Sequence, residues 1–132
     1  MPTTTLLQAK SLVPTMTVND LDASLRFYRD GLGFAVKEEH KEEGKLLGVM
    51  LEAGNAVIGI AQDDFTKGRD RAKGDGVRLW LATAQDIAAI AARIKASGIK
   101  LDYEPRETPW GDYAFAITDP DGYKITVMRP LK

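Results

Sequence analysis

His40 is the only histidine in the chain, and cysteine is absent. Disulfides, thiolate metal sites and cysteine nucleophiles are therefore excluded, and any metal centre would rest on one imidazole and carboxylates. His40 lies in KEEHKEEGK (37–45), a charge run around a turn, which predicts a solvated edge rather than a ligand. Glu52 and Asp112 are the carboxylates that general acid–base chemistry would use, though nothing in the sequence singles one of them out. Arg78 and Lys124 offer cations, and a guanidinium can hold an acidic group with two parallel hydrogen bonds. Trp80, Trp110, Tyr113 and Phe115 offer flat surfaces for stacking on a planar ligand. Core packing competes for these rings, most strongly for Phe115. No nucleophile elbow, phosphate loop or dinucleotide fingerprint is present; GKLLG and KGDG share only a glycine or two with such loops.

The elements that must position these groups come in a repeated order. SLVPTMTV (11–18) reads as a strand. NDLDASLRFYRDGLG (19–33) reads as a helix, with Asn19 or Asp20 as its cap, Leu21, Leu25 and Tyr28 on one face, and glycines closing it. FAVKEEH, KLLGVMLE and NAVIGIAQ follow as three strands divided by KEEG and AGN turns. The polar, glycine-punctuated stretch 63–75 reads as a linker loop. The order then returns: VRLWLAT (77–83), an alanine-rich helix over 84–98, and the strands IKLDYE, DYAFAITD and GYKITV. Asp20-Leu21 and Asp86-Ile87 stand at matching helix starts, 66 residues apart. The chain is therefore expected to be α+β, two tandem βαβββ modules.

Alternation assigns the strand faces. Leu12, Pro14, Met16 and Val18, Ala56, Ile58 and Ile60, Val77, Leu79 and Leu81, and Tyr123, Ile125 and Val127 are expected to meet the helices. The opposite faces carry Val13, Thr15 and Thr17, Val57, Gly59 and Ala61, Arg78, Trp80 and Ala82, and Lys124, Thr126 and Met128. Small and apolar residues beside cations fit a concave, mostly apolar pocket with a few polar groups. Two cations in a partly dry pocket need an anionic partner, either Asp112, Glu52 or a ligand.

Length and charge set the limits. One domain is expected of 132 residues, and a net charge of −1 predicts no field for nucleic acid or an anionic membrane. No apolar run approaches a membrane span, MPTTTLLQAK is too short for a secretory signal, and a cytoplasmic location is expected.

TVNDLDASLRFYRDGLGF, with the pattern VxDLxxSxxFYxxxLGF, and the later DPDGYKI together resemble the vicinal oxygen chelate superfamily, which includes glyoxalase I, extradiol dioxygenases and bleomycin-resistance proteins. The resemblance covers about residues 11–129. It implies a first module at 11–62, a linker at 63–75 and a second module at 76–129, with curved sheets enclosing a cleft that a homodimer commonly completes. Enzymes of that group hold a divalent metal with His and Glu. At the matching positions this chain has Val13, seven residues before Asp20, then Gly59, Arg78, and Thr126, four after Gly122. Val and Gly offer no donor and Arg does not surrender its proton. LVPTMTVNDL and TPWGDYAFAITDPDG look like the metal-free bleomycin-resistance type, which implies a small-molecule binding protein without metal or other cofactor. A divergent lyase, isomerase or dioxygenase is the alternative. The expected ligand-binding set is Val13, Thr15, Gly59, Arg78, Trp80, Trp110, Tyr113, Lys124 and Thr126.

Overall fold

The computed structural model describes residues 5–131. Its first half runs β1 (Thr15–Val18), helix α1 (Leu21–Leu25), which continues as a π-helical stretch over Arg26–Leu32, then β2 (Ala35–Glu42), β3 (Lys45–Ala53) and β4 (Ala56–Gln62). The second half repeats the order with β5 (Arg78–Ala82), α2 (Ile87–Ala96), β6 (Tyr103–Glu107), β7 (Asp112–Thr118) and β8 (Lys124–Pro130). Each half makes one four-stranded sheet, in the orders β1-β4-β3-β2 and β5-β8-β7-β6. The outer pair β1–β4, like β5–β8, is parallel, as a strand–helix–strand crossover requires; the remaining pairs are antiparallel.

The matching aspartates cap both helices. Asp20 accepts a hydrogen bond from Ala23 N, and Asp86 accepts from Ala88 N and Ala89 N, satisfying first-turn donors that have no helical partner. Leu21, Leu25 and Tyr28 are buried, as are Ile87, Ala91 and Ile94 at the same spacing. Gly33 and Gly98 end the helical segments at φ 96° and 98°, a conformation that costs glycine little.

The helices lie between the modules. Met16, Val18, Ile58 and Ile60 of one sheet and Phe115, Ile117, Ile125 and Val127 of the other belong to a single buried cluster with the helical residues. Helix α2 packs on the π-helical stretch, where the Arg93 guanidinium donates to the Gly31 carbonyl at 2.9 Å. The TDPDG turn fastens the halves: Asp121 accepts from Asn19 N, and Asp119 accepts from the Tyr28 hydroxyl at 2.7 Å. The modules thus meet through helices and loops, while both sheets turn their other faces outward. The two expected mixed sheets are present, and they do not close on one another within one chain.

Several expected boundaries shift. β1 starts at Thr15 rather than at residue 11: Pro14 has no N–H for the ladder, although its carbonyl accepts from Gly59 N of β4; Leu12 is 88% exposed and does not join the core. Val77 is also exposed, lying just before β5 begins. β6 forms over Tyr103–Glu107 rather than from residue 99, since Ile99 and Leu101 pack on the core while still in the loop. The 63–75 segment has no regular strand or helix, yet it is docked. Lys73 is buried and lies 3.0 Å from the Asp63 carboxylate, and Gly74 N donates to the Asp121 carbonyl.

Candidate functional site

Strand register lays out the outward face of the second sheet in rows. Arg78 stands beside Lys124 and Thr118; Trp80 beside Thr126 and Ala116; Ala82 beside Met128 and Ala114. Trp110, from the β6–β7 turn, brings its ring to 6.0 Å from that of Trp80 at an interplanar angle of 43°. The two indoles remain 49% and 60% exposed, whereas Thr126, Met128, Ala114 and Ala116 in the neighbouring rows are buried. A pair of large, accessible rings beside a floor of small buried residues can receive a flat ligand without rearranging the core.

The cations stand at one end of this face. The Lys124 ammonium donates to the Thr118 hydroxyl, which in turn donates to Asp102 at 2.6 Å. Arg78 is exposed and has no side-chain partner among the described residues. Asp112, the partner considered for Arg78 and Lys124, is paired with Pro130 at the far end of the sheet, and so does not meet them. Its backbone N–H donates to the Thr108 hydroxyl and helps shape the turn that carries Trp110.

The outward face of the first sheet contains Thr15 beside Gly59 and Met50, and Thr17 beside Ala61 and Gly48. A Cβ at Gly59 would press on the Met50 sulfur at 3.1 Å and the Thr15 hydroxyl at 3.2 Å, so glycine is what keeps this floor low. Val13 lies just ahead of β1 on this side and is 37% exposed. The expected site residues therefore form two groups: Val13, Thr15 and Gly59 on the first sheet; Arg78, Trp80, Trp110, Lys124 and Thr126 on the second. Tyr113 falls elsewhere. It shares the helix side of β7 with Phe115 and Ile117 and packs on the core.

A groove of about 690 Å³ runs beside the free edge of β5, between the Ala53–Ala56 turn and α2, and Trp80 forms part of its wall. Sequence reasoning missed it because it joins residues of both modules.

The electrostatics of the TDPDG turn are structural. Burial, reinforced by the Asp119 charge, raises the Tyr28 hydroxyl well above its ordinary value and keeps it a donor. Burial pushes the Asp119 carboxyl up, against hydrogen bonds donated by Tyr28, Tyr123 N and Asp121 N. On the linker, the Lys73 ammonium holds the Asp63 carboxyl below its ordinary value.

Two helix-backed four-stranded sheets in βαβββ order define a paired-module α+β fold. The chain belongs to the Glyoxalase/Bleomycin resistance protein/Dioxygenase superfamily, whose model matches residues 10–127. A protein of Synechocystis named probable lactoylglutathione lyase is 33% identical over 118 residues, covering 85% of this chain and 88% of that one. TnmS3, an antibiotic binding protein from Streptomyces sp. CB03234, is 26% identical with a TM-score of 0.67 over 94% of this chain and 99% of its own. TioX from Micromonospora sp. ML1 shares the fold at a TM-score of 0.75 and 17% identity, covering 93% of this chain and 100% of its own.

The divalent metal used by enzymes of this superfamily does not fit the side chains at the corresponding positions. Val13 and Gly59 have no donor atom, Arg78 is a fixed cation, and Thr126 adds one neutral hydroxyl. No cluster of three or more His, Cys, Asp or Glu side chains forms elsewhere among the described residues. No described helix is long and apolar enough to cross a membrane.

Proposed function

We propose that the protein binds a planar small molecule, a drug or natural product, without metal, in a cleft completed by a second copy of the chain. The observation that carries this reading is the accessible Trp80–Trp110 pair beside a buried floor, at a site whose metal-ligand positions hold Val13, Gly59, Arg78 and Thr126. Trp80 and Trp110 stack on the ligand body. Thr126 and Lys124 offer hydrogen bonds along one side, and Thr15 and Gly59 form the opposing wall from the partner copy. The outward-pointing, site-bearing faces of one chain support a homodimer as the unit that completes the cleft. The antibiotic-binding description of TnmS3 supports the ligand class, and protection against such a compound in the cytoplasm is the physiological role we assign.

The Synechocystis relative's name favours a second reading, a divergent enzyme of the superfamily. The experiment that separates the two is metal analysis of purified protein, paired with titration against added Ni, Zn, Fe or Mn. The binding reading expects well under one equivalent per chain and no stabilisation by added ion. Stoichiometric metal that is lost on replacing Glu52 or His40 would establish the enzyme reading instead.

A further inference from the structure

The row that begins at Trp80 has an aromatic residue at each end. Across the outward face of the second sheet, Trp80 on β5 is followed by Thr126 on β8, Ala116 on β7 and Tyr103 on β6. The next row runs Ala82, Met128, Ala114 and Arg106. Trp80 and Tyr103 thus stand on strands about 14 Å apart, three strand spacings, with buried residues on β7 and β8 between them. Arg106 reaches this face through a break in its strand. Residues three apart on a regular strand point to opposite sides, so alternation from Tyr103 would turn Arg106 toward the helices. Between the pairs Tyr103–Ala116 and Arg106–Ala114, however, Glu104 and Pro105 together oppose the single Phe115, which is a β-bulge. Pro105 has no N–H for the ladder, and the edge strand loses register there. Glu104 takes the helix side, 3.0 Å from Lys95 of α2, and Arg106 is re-aimed outward.

The Arg106 guanidinium lies over the Tyr103 ring, 3.9 Å from its centre. Stacking holds a guanidinium by its face and leaves the N–H donors at its edge free. Arg106 is exposed, and no carboxylate pairs with it among the described residues. The other two cations of this face differ. Lys124 is engaged by the Thr118 hydroxyl, and no described ring lies under Arg78. We infer that Arg106, held on Tyr103, is the specificity-determining residue of this face. It takes an acidic group, a carboxylate or one of like shape, at the end of a planar ligand remote from Trp80, through two parallel hydrogen bonds. Tyr103 is its positioning residue, and the bulge at Pro105 is the device that brings the two together. The ligand class narrows from planar molecules to planar acids. This inference rests on the planar-ligand reading proposed above and adds the charge that the ligand carries.

A matched pair of probes tests it: anthracene carrying a carboxylate, and anthracene carrying the carboxamide at the same carbon. The two share one flat body and differ in charge. Each is titrated against wild type, Arg106→Met, Arg106→Lys and Arg78→Met, with tryptophan quenching as the readout and thermal melting as the check on fold. Wild type is expected to bind the acid about tenfold more tightly than the amide, through a charge-assisted pair of hydrogen bonds. Arg106→Met is expected to weaken the acid by about that factor and to leave the amide within about twofold of wild type. Arg106→Lys keeps the charge without the fork and should recover only part of the preference; it decides the matter if the methionine variant melts early. Arg78→Met should change neither probe. Equal wild-type affinities for acid and amide would overturn the assignment while the planar-ligand reading stands. So would a preference that survives Arg106→Met or disappears in Arg78→Met. Quenching by neither probe would overturn that reading and the assignment with it.

Discussion

The Tyr28 hydroxyl reaches the Asp119 carboxylate at 2.7 Å, joining residues 91 positions apart in the chain. Both belong to the stretches that give the sequence its family resemblance, yet their role is to hold one module against the other. Tyr28→Phe removes a buried hydrogen bond to a charged acceptor and is expected to cost about 1.5–3 kcal/mol at neutral pH by chemical denaturation. The pH dependence follows from the raised Tyr28 value. A hydroxyl that ionises at about pH 10 in the unfolded chain and higher in the folded one contributes stability that is complete below pH 10 and is lost as pH rises above it. Wild type should therefore show a steeper alkaline loss of stability than Tyr28→Phe; equal slopes would mean that the hydroxyl is not held as described. Among the site residues, alternation in the sequence placed Trp80 and Thr126 correctly on one face of adjacent strands. The same parity should have removed Tyr113, which shares a face with Phe115. What suggested it was its aromatic type, and ring chemistry alone does not say which side of a strand a residue faces.

At the level of elements, the repeated βαβββ order was readable because caps, glycine stops and period-two strands recur in both halves. The linker was not, because its packing comes from single residues rather than from a pattern. Lys73 buries its stem and pairs with Asp63, and Gly74 passes against the backbone of Gly122 and Tyr123 with no room for a side chain. Polar composition marked 63–75 as a loop and could not mark it as docked. Gly74→Ala is accordingly expected to destabilise the protein by about 1–3 kcal/mol, as overpacking does, and to raise hydrogen exchange in both the linker and the TDPDG turn. Unchanged melting would show that the linker swings free of that turn. The extension of α1 into π-helical geometry over Arg26–Leu32 was equally invisible, since helical periodicity is nearly the same for a few residues whichever carbonyl accepts.

On the scale of the whole molecule, the resemblance implied a cleft that a homodimer commonly completes, and a single chain presents two separate sheet faces. The side chains that could line it were identifiable from alternation, but alternation does not say whether the two sheets face each other or face away. The shared helix-side core decides that, and it leaves Trp80 and Trp110 accessible on one face, while Thr15 and the buried Gly59 lie on the other. The central claim, planar-ligand binding without metal at the indole pair, is tested most directly by tryptophan fluorescence. Chelator-treated wild type and Trp80→Ala are titrated with a panel of acidic and neutral polycyclic aromatic natural products. At least one compound should quench wild-type emission saturably, with an affinity unchanged by chelator and weakened about tenfold or more in Trp80→Ala, about 1.4 kcal/mol of stacking. Binding that appears only when a divalent ion is restored, or that is indifferent to Trp80, would contradict the account.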